Sequence, residues 1–319
     1  MSELRQRLVS VVMPFHNVAA FLAESVESVR AQRYQHWELL LCDDGGTDGS
    51  REIAERYASV DPARIRILEH EGRANRGASA TRNLGLDAAR GEIVALLDAD
   101  DVWFPNVLEE QVSLLGANAH ADMVYGLAEH WYSWSGVPGS AGADYTPPAG
   151  LASNTLLAPR ELLTRLLRRE IRAPHTCSAA MRTEAVRLAG GFVEEFRQVY
   201  TDQAFFAKLS IVAPVLFVER CWARYRIHPA SSYATAKRTG KGLEARARFL
   251  DWLDGYLRED PTRSDRALRV ALAAARRRVR HPRLFRAIDG ARRMLRRALG
   301  RPAGRQGAAA SASSSSSAS

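Results

Sequence analysis

Leu96-Leu97-Asp98-Ala99-Asp100-Asp101 is the stretch that decides the fold, because an apolar run passes there directly into three carboxylates. The run from Glu92 to Leu97 is short and partly β-branched, which is typical of a strand in the core of a parallel sheet. Such a strand opens at its carboxyl end into a ligand crevice. In extended backbone Asp98 and Asp100 point the same way, so both can face one divalent cation, and carboxylate oxygens suit Mg²⁺ or Mn²⁺. The alternative is an acidic solvated loop, or an aspartate that caps the helix starting near Pro105.

Upstream of this strand, apolar runs alternate with amphipathic segments at a spacing that predicts strands and helices in turn. The expected strands are residues 8–13, 37–42 and 64–68, and the expected helices are residues 21–32, 50–57 and 77–90. This alternation predicts an α/β fold with a Rossmann-like, mostly parallel sheet and right-handed crossovers. Ligands then bind outside the carboxyl ends of the strands, where three polar clusters fall: residues 14–17, 43–48 and 98–101.

The second of these clusters contains Gly45 and Gly46, which let the backbone turn sharply and expose Asp43 and Asp44 at the strand tip. Carboxylates in that position can hydrogen-bond a ribose hydroxyl or a base N–H. The same residues also fit a tight turn in which Asp48 caps the following helix. Neither interpretation excludes the other.

The second half of the chain continues with further strands and helices and with one long loop. Strands are expected at residues 123–125, 175–181, 215–218 and 221–227, and helices at residues 105–115, 161–169 and 203–212. For residues 131–150, which include Trp131 and Trp134, we expect either a long loop over the site or aromatic side chains packed at the edge of the core. Asp202 precedes the last of these helices, where an aspartate is usually only an N-cap.

The formal net charge of +9 is distributed unevenly along the 319 residues. Residues 237–305 hold 21 basic and 7 acidic residues, so the remainder of the chain is mildly acidic. Arginine-rich amphipathic helices are predicted at residues 240–257, 264–279 and 284–299, before an Ala/Ser low-complexity tail. The expected division is 1–232 for the α/β domain, 233–300 for a basic helical extension and 301–319 for a disordered tail.

Cysteine usage and hydropathy indicate the compartment. Three cysteines without a Cys-x-x-Cys pair favour a reducing environment over a disulfide scaffold. The polar N-terminus and the lack of a run of roughly 18 to 20 apolar residues predict a cytoplasmic protein. The basic helices suit anionic lipid headgroups, which predicts peripheral association with the inner face of a membrane; a solvated helical extension is the alternative. Charge alone would also allow nucleic acid, but no reader motif accompanies it.

Five landmarks in a fixed order connect the chain to a known family. They are Val11-Val12-Met13-Pro14-Phe15-His16-Asn17, the Asp43-Asp44-Gly45 turn, Gly77-x-x-x-x-Arg82-Asn83-x-Gly85, Asp98-Ala99-Asp100-Asp101 ahead of Trp103 and Pro105, and Gly190-Gly191-Phe192 leading to Thr201-Asp202. Over residues 8 to about 228 the chain resembles a family 2 glycosyltransferase with the GT-A fold. The resemblance implies an inverting, metal-dependent and non-processive enzyme. Its donor would be a nucleotide-diphosphate sugar, with UDP favoured, and its acceptor a saccharide or lipid-linked saccharide in cell-surface glycan synthesis.

Carried over position by position, the resemblance also assigns residues to the donor. It implies that Pro14 and Asn17 lie beside the nucleotide base and that Asp44 contacts uracil or ribose. Arg76 and Arg82 are further candidates for the nucleotide side.

For the chemistry, the resemblance implies that Asp98 meets the ribose or the metal and that Asp100 holds the Mn²⁺ or Mg²⁺ that bridges the diphosphate. Asp202 would be the catalytic base, and His228 would lie near the diphosphate or the metal, although a lone histidine is more often structural. The chain departs from the family pattern at two positions: Thr201 in place of glutamate, and Gly46 in place of serine. Both departures spare the aspartates themselves and leave acceptor geometry open.

Two other enzyme classes fit the sequence less well. A nucleotidyltransferase would carry a Gly-rich, Lys-containing phosphate loop after the first strand, and residues 14–20 contain none. A processive polysaccharide synthase would carry membrane spans and a Gln-x-x-Arg-Trp segment, which this sequence does not show. The remaining alternative is a catalytically degenerate protein that binds a membrane surface or nucleic acid through its basic C-terminal helices.

Overall fold

Nine strands form one sheet in the computed structural model, which describes residues 7–136, 140, 142–228 and 242–282. The strands are β1 (Val9–Phe15), β2 (Trp37–Asp43), β3 (Ile65–Glu69), β4 (Ile93–Leu96), β5 (Val102–Trp103), β6 (Met123–Trp131), β7 (Thr155–Leu157), β8 (Ala179–Arg182) and β9 (Val215–Arg226). The helices are α1 (Ala19–Arg30), α2 (Ser50–Val60), α3 (Ala78–Ala88), α4 (Val107–Ala117), α5 (Glu161–Arg168), α6 (Thr183–Ala189), α7 (Thr201–Val212), α8 (Gly242–Glu259) and α9 (Arg266–Arg280).

The sheet order is β3-β2-β1-β4-β8-β6-β9-β5, and β7 also pairs with β9. Strands β1 to β4 are parallel to one another, and β8 runs antiparallel to both of its neighbours. Strand β9 is parallel to β6, while β5 and β7 oppose it. Six of these nine described strands therefore share one direction, which confirms the predicted mostly parallel sheet.

Both faces of the central strands are covered by helices. All seven residues of β2 are buried, as expected for a strand whose apolar run is continuous. Alternate residues of β1 enter different cores: Val11 and Met13 face α1, α2 and α4, whereas Val12 faces α3, α6 and α7. This period of two fixes the strand register. It also brings the carboxyl ends of β1, β2 and β4 to one edge.

Helix α3 approaches the sheet so closely that one position requires glycine. A Cβ atom on Gly85 would lie 2.4 Å from Val12 Cγ1 and 2.8 Å from Cys42 Sγ, both in the buried sheet. These distances are shorter than ordinary van der Waals contact. Gly85 of the third landmark therefore allows α3, the helix that carries Arg82, to pack closely against the sheet.

Three predicted elements differ from the structure. The two strands expected at 215–218 and 221–227 are one strand, β9, which is irregular against β6 where Glu219 and Arg220 turn to solvent. The strand expected at 175–181 begins as a 3₁₀ turn, Thr176–Ser178, and only then becomes β8. The apolar pattern of the sequence does not show either difference, because both depend on pairing with strands that are distant in the sequence.

The C-terminal helices are described only in part. Helices α8 and α9 confirm the first two predicted segments, whereas the third, at 284–299, lies outside the described residues. Contacts group the chain through Arg276 into one compact unit and the residues from Arg277 onward into another. The predicted boundary at residue 232 also falls outside the described residues and stays a prediction. Among the helices the structure describes, none has the length and apolar character needed to span a membrane.

Candidate active site

The predicted polar clusters meet at the carboxyl edge of β1, β2 and β4. Pro14 lies opposite Cys42 of β2, one residue before the end of β1. Asn17, in left-handed backbone with a φ of 51°, accepts a hydrogen bond from the Thr47 backbone N–H at 2.8 Å. His16 Nδ1 lies 3.1 Å from the Asp44 carbonyl oxygen. Hydrogen bonds therefore join the first two polar clusters beyond the carboxyl ends of β1 and β2.

Asp44 ties the tip of β2 to the start of α3. Its carboxylate is buried and accepts the backbone N–H of Arg76 at 2.7 Å and that of Gly77 at 3.0 Å. Asp43 is fully buried and pairs with Arg51 at 3.1 Å and with a second arginine, Arg73. Both aspartates are therefore held within the protein, which supports the turn interpretation. Contact of Asp44 with a nucleotide stays a prediction, and Arg76 contributes its backbone here.

Asp48 accepts backbone N–H groups at the start of two helices, although their N-cap positions belong to Val18 and Gly49. One carboxylate oxygen accepts the backbone N–H of Ser50 at 3.1 Å at the start of α2, and the other accepts that of Ala19 at 2.8 Å at the start of α1. Carboxylates at helix N-termini accept hydrogen bonds from otherwise unpaired backbone N–H groups and interact favourably with the positive end of the helix dipole. This bridge fixes the loop after β1 against the loop after β2.

Arg82 lies at the centre of the acidic site. It is buried, and its guanidinium donates to Asp98 at 2.5 Å and to the Thr201 hydroxyl at 3.3 Å. Burial opposes its charge, but the carboxylates of Asp98, Asp202 and Asp100 outweigh burial and raise its pKa. The second oxygen of Asp98 accepts the Thr176 hydroxyl at 2.9 Å. Arg82 therefore connects the end of β4 with the start of α7.

Asp100 meets His228 although 128 residues separate them. Nε2 of His228 lies 2.9 Å from Asp100 Oδ2, and the imidazole is 9% exposed. Its ring packs against Phe21, with centroids 5.2 Å apart, and against Trp134 at 6.4 Å. The structure thus brings together Asp100 and His228, and the ring of Trp134, from the 131–150 segment, packs against His228. The extended backbone predicted for Asp98 and Asp100 is wrong: residues 98–101 form a turn in which the Asp101 N–H donates to the Asp98 carbonyl at 3.0 Å, and Asp98 pairs with Arg82.

The donor set at this point fits a divalent cation. A carboxylate and an imidazole are both ligands for Mn²⁺, and Mg²⁺ typically takes one or two carboxylates together with substrate phosphates. No group of three or more His, Cys, Asp or Glu side chains in the described part of the chain is arranged to hold a metal. Asp100 and His228 would therefore share the ion with oxygens of a bound diphosphate.

Asp101 has a structural role in the same loop. It is fully buried, and its Oδ1 accepts the Arg226 backbone N–H at 2.9 Å. Burial, together with the neighbouring charges of Asp100 and Asp98, raises the pKa of Asp101 well above its usual range. Asp101 therefore holds the loop against β9, while the side chains of Asp98 and Asp100 make the contacts of the site.

Asp202 occupies the first turn of α7, one residue after Thr201. The N-cap position belongs to Tyr200, so the interpretation of Asp202 as an N-cap is wrong. Desolvation by the surrounding protein raises the pKa of Asp202, although the Arg82 charge partly offsets it. A carboxylate with a raised pKa is a better proton acceptor near neutral pH.

Sequence reasoning missed two residues of the site, Arg226 and Thr176. Arg226 is 3% exposed; its Nε donates to the Asp100 carbonyl at 2.7 Å, and its guanidinium pairs with Glu24 at 2.5 Å. The sequence contains one indication of Arg226. It lies two residues before His228 at the end of a strand, and side chains two residues apart in a strand point to the same face. Thr176 gave no such signal, since its contact with Asp98 depends on the 3₁₀ turn.

Comparisons with known proteins identify the family of the chain. The family model described as "Glycosyl transferase family 2" matches residues 10–187, more than half of the chain. The chain is 38% identical over 119 residues to an Escherichia coli protein, "UDP-Glc:alpha-D-GlcNAc-diphosphoundecaprenol beta-1,3-glucosyltransferase WfgD", covering 37% of this chain and 45% of that one. It is 39% identical over 102 residues to "Glycosyltransferase GlyG" of Streptococcus pneumoniae, covering 32% and 33%. The chain spans less than half the length of the curated relatives it matches.

Two solved structures show the same fold at low sequence identity. S. aureus TarS in complex with UDP-GlcNAc is similar over 76% of this chain and 66% of that chain, with a TM-score of 0.58 and 19% identity. The mannosyltransferase PcManGT of Pyrobaculum calidifontis, in complex with GDP-Man and Mn²⁺, is similar over 85% and 69%, with a TM-score of 0.59 and 19% identity.

Proposed function

The chain belongs to glycosyl transferase family 2 and has the GT-A fold, and from this premise we propose that it transfers a sugar from a nucleotide-diphosphate donor to an acceptor hydroxyl with inversion. One observation carries the proposal. Arg82 lies between Asp98, which follows β4, and the start of α7, which carries Asp202. Two residues after Asp98, Asp100 contacts His228. This arrangement supports the proposal that the diphosphate leaves next to a candidate base.

The reaction needs a proton acceptor and a place for the leaving charge. Asp202 accepts the proton of the acceptor hydroxyl. At the same time the hydroxyl oxygen bonds to the anomeric carbon, and the bond from that carbon to the diphosphate breaks. One displacement inverts the anomeric centre. A divalent ion held by Asp100 and His228 would supply positive charge to the departing diphosphate. Arg82 keeps Asp98 oriented, and its own positive charge lies next to Asp202.

The finer assignments follow from the relatives and stay proposals. A UDP-sugar is favoured as donor because TarS binds UDP-GlcNAc, although PcManGT binds GDP-Man with Mn²⁺. WfgD is named for a lipid-diphosphate acceptor, so we propose a lipid-linked saccharide acceptor in cell-surface glycan synthesis. Pro14, Asn17 and Asp44 would surround the base, and Mn²⁺ or Mg²⁺ would serve as the ion.

The test is binding and hydrolysis of a panel of nucleotide sugars, with Mn²⁺ present or chelated. We expect one donor to bind in a metal-dependent way and Asp100→Ala to abolish that binding. Asp202→Asn should keep donor binding and lose turnover by roughly 10²- to 10⁴-fold. Asp87→Asn is the control, because this exposed carboxylate on α3 lies outside the site. Failure of every nucleotide sugar to bind would contradict the proposal.

A membrane-surface role remains a separate proposal. Within the described helices, Arg276 pairs with Asp251 at 2.7 Å and also with Asp254, so part of the basic face is already neutralised. Salt-dependent binding to anionic liposomes that is lost on deleting residues 265–319 would support it. Peripheral association of a cytoplasmic enzyme would fit the proposed lipid-linked acceptor.

A further inference from the structure

A cavity next to Asp202 has no part in the chemistry described above. It lies between α5, α7 and α8 and has a volume of about 190 Å³. Most of its lining is apolar and comes from three helices and the segment after α5: Leu163, Leu166, Leu167, Ile171, Phe206 and Phe249. The cavity is smaller than the roughly 300–1,000 Å³ that encloses a whole drug-sized ligand, so it suits a short apolar segment.

Two guanidinium groups line the same cavity, those of Arg169 and Arg246. Among the described residues, neither has a carboxylate within ion-pair distance, in contrast to the neighbouring Arg165 and Arg168, which approach Glu161 and Glu170. Nε of Arg246 is buried without a hydrogen-bond partner in that part of the chain. The Arg246 guanidinium also interacts with the Tyr200 side chain. Guanidinium groups without a carboxylate partner beside an apolar cavity are complementary to an anion that carries an apolar chain.

The cavity is adjacent to the proposed base. Its lining includes Gln203, the residue after Asp202, and Phe206, three positions further on the same helix face. On its other side the segment that contributes Ile171 continues to Thr176, which holds Asp98. A group bound at the two arginines therefore lies close to the place where the acceptor hydroxyl must be deprotonated.

We propose that this cavity binds the phosphate and the first isoprenoid unit of a lipid-linked acceptor. The guanidinium groups of Arg169 and Arg246 hold the phosphate, the apolar lining holds the chain, and the sugar attached to the phosphate extends to Asp202. The assignment rests on the proposed glycosyltransferase function and names the acceptor class for that site. It gives Arg169 and Arg246 a role in acceptor binding and none in donor binding.

The experiment measures farnesyl diphosphate binding to the full chain by calorimetry in EDTA, so that no divalent ion draws the diphosphate to Asp100. Inorganic diphosphate and farnesol test the charge and the chain separately. We expect farnesyl diphosphate to bind more tightly than either. Substitution of each guanidinium, as Arg169→Gln and Arg246→Gln, should weaken binding roughly tenfold. Arg168→Gln should leave it unchanged, because this exposed arginine lies outside the cavity. Leu166→Gln tests the apolar lining and should also weaken it.

Donor binding measured on the same variants separates the two proposals. Metal-dependent binding of the nucleotide sugar should be unchanged in the Arg169→Gln/Arg246→Gln double variant, which also shows that the variant is folded. If the donor binds but farnesyl diphosphate does not, or binds the double variant as tightly as wild type, the cavity assignment is wrong and the glycosyltransferase function stands. If farnesyl diphosphate binds as expected but no nucleotide sugar does, the proposed function is wrong; the cavity is then a prenyl-phosphate site, and its assignment to an acceptor is wrong too.

Discussion

Arg226 offers the sharpest test of how the acidic loop is held. Its guanidinium lies over three aromatic rings, with centroids 4.8 Å away at Phe21, 4.4 Å at Trp131 and 5.1 Å at Trp134. It also donates to the Asp100 carbonyl. The residue thus joins α1, β6 and the loop after β4. We expect substitution of Arg226 to loosen Asp100 as well as destabilise the fold.

The magnitude follows from the individual contacts. The bond to the Asp100 carbonyl is charge-assisted and buried, which corresponds to about 1.5–3 kcal/mol. The ring contacts add about 1–2 kcal/mol because the guanidinium is desolvated. The Glu24 carboxylate is 51% exposed, so that ion pair adds no more than about 1 kcal/mol. Arg226→Met should therefore lower the free energy of unfolding by about 3–5 kcal/mol, and Arg226→Lys by about 2 kcal/mol because lysine lacks the planar fork.

Urea unfolding followed by circular dichroism measures this change. Arg224→Met is the matched control, since Arg224 lies on the same strand, contacts Phe104 and Trp131, and pairs with Glu129, but its side chain is 44% exposed. We expect the control to cost about 1 kcal/mol or less. A stability loss for Arg226→Met within about 0.5 kcal/mol of zero would refute the reasoning. So would an unchanged Mn²⁺ concentration for half-maximal donor binding in Arg226→Lys.

Three further predictions concern packing and titration. Gly85→Ala should lower the free energy of unfolding by about 1–3 kcal/mol because its Cβ would overlap buried atoms of β1 and β2, whereas Gly255→Ala in α8, with open space around it, should be neutral or stabilising in the same urea assay. Burial raises the pKa of Asp202 in the folded protein above its value in the unfolded chain. The contribution of Asp202 to the free energy of unfolding is therefore fully present below the unfolded pKa and is lost as the pH rises through the folded pKa. Asp202→Asn should accordingly be more stable than wild type at pH 7 and equal to it below about pH 4; an equal difference at both values would argue against this. Burial raises the pKa of the Cys42 thiol to about 12, so it should react with Ellman's reagent only after denaturation, and rapid labelling of the native protein at Cys42 would contradict the packing.

The sequence by itself determined the architecture of the first half of the chain. Alternating apolar runs and amphipathic segments predicted β1 to β4 and the helices between them, because burial on both faces of a parallel sheet imposes continuous apolar strands. The same runs located the acidic cluster at a strand end.

Only the tertiary structure decided which side chains meet there. The contact between Asp100 and His228, the aromatic rings around Arg226 and the hydrogen bond from Thr176 to Asp98 all join residues at least 78 positions apart. Local pattern carries no information about such pairings, because they depend on strand order and on the irregular pairing of β9. Burial likewise decided that Asp44 is held by backbone N–H groups and that Arg82 lies at the centre of the site. Charge and solvent access at a position are set by the packed neighbours, which the linear sequence does not specify.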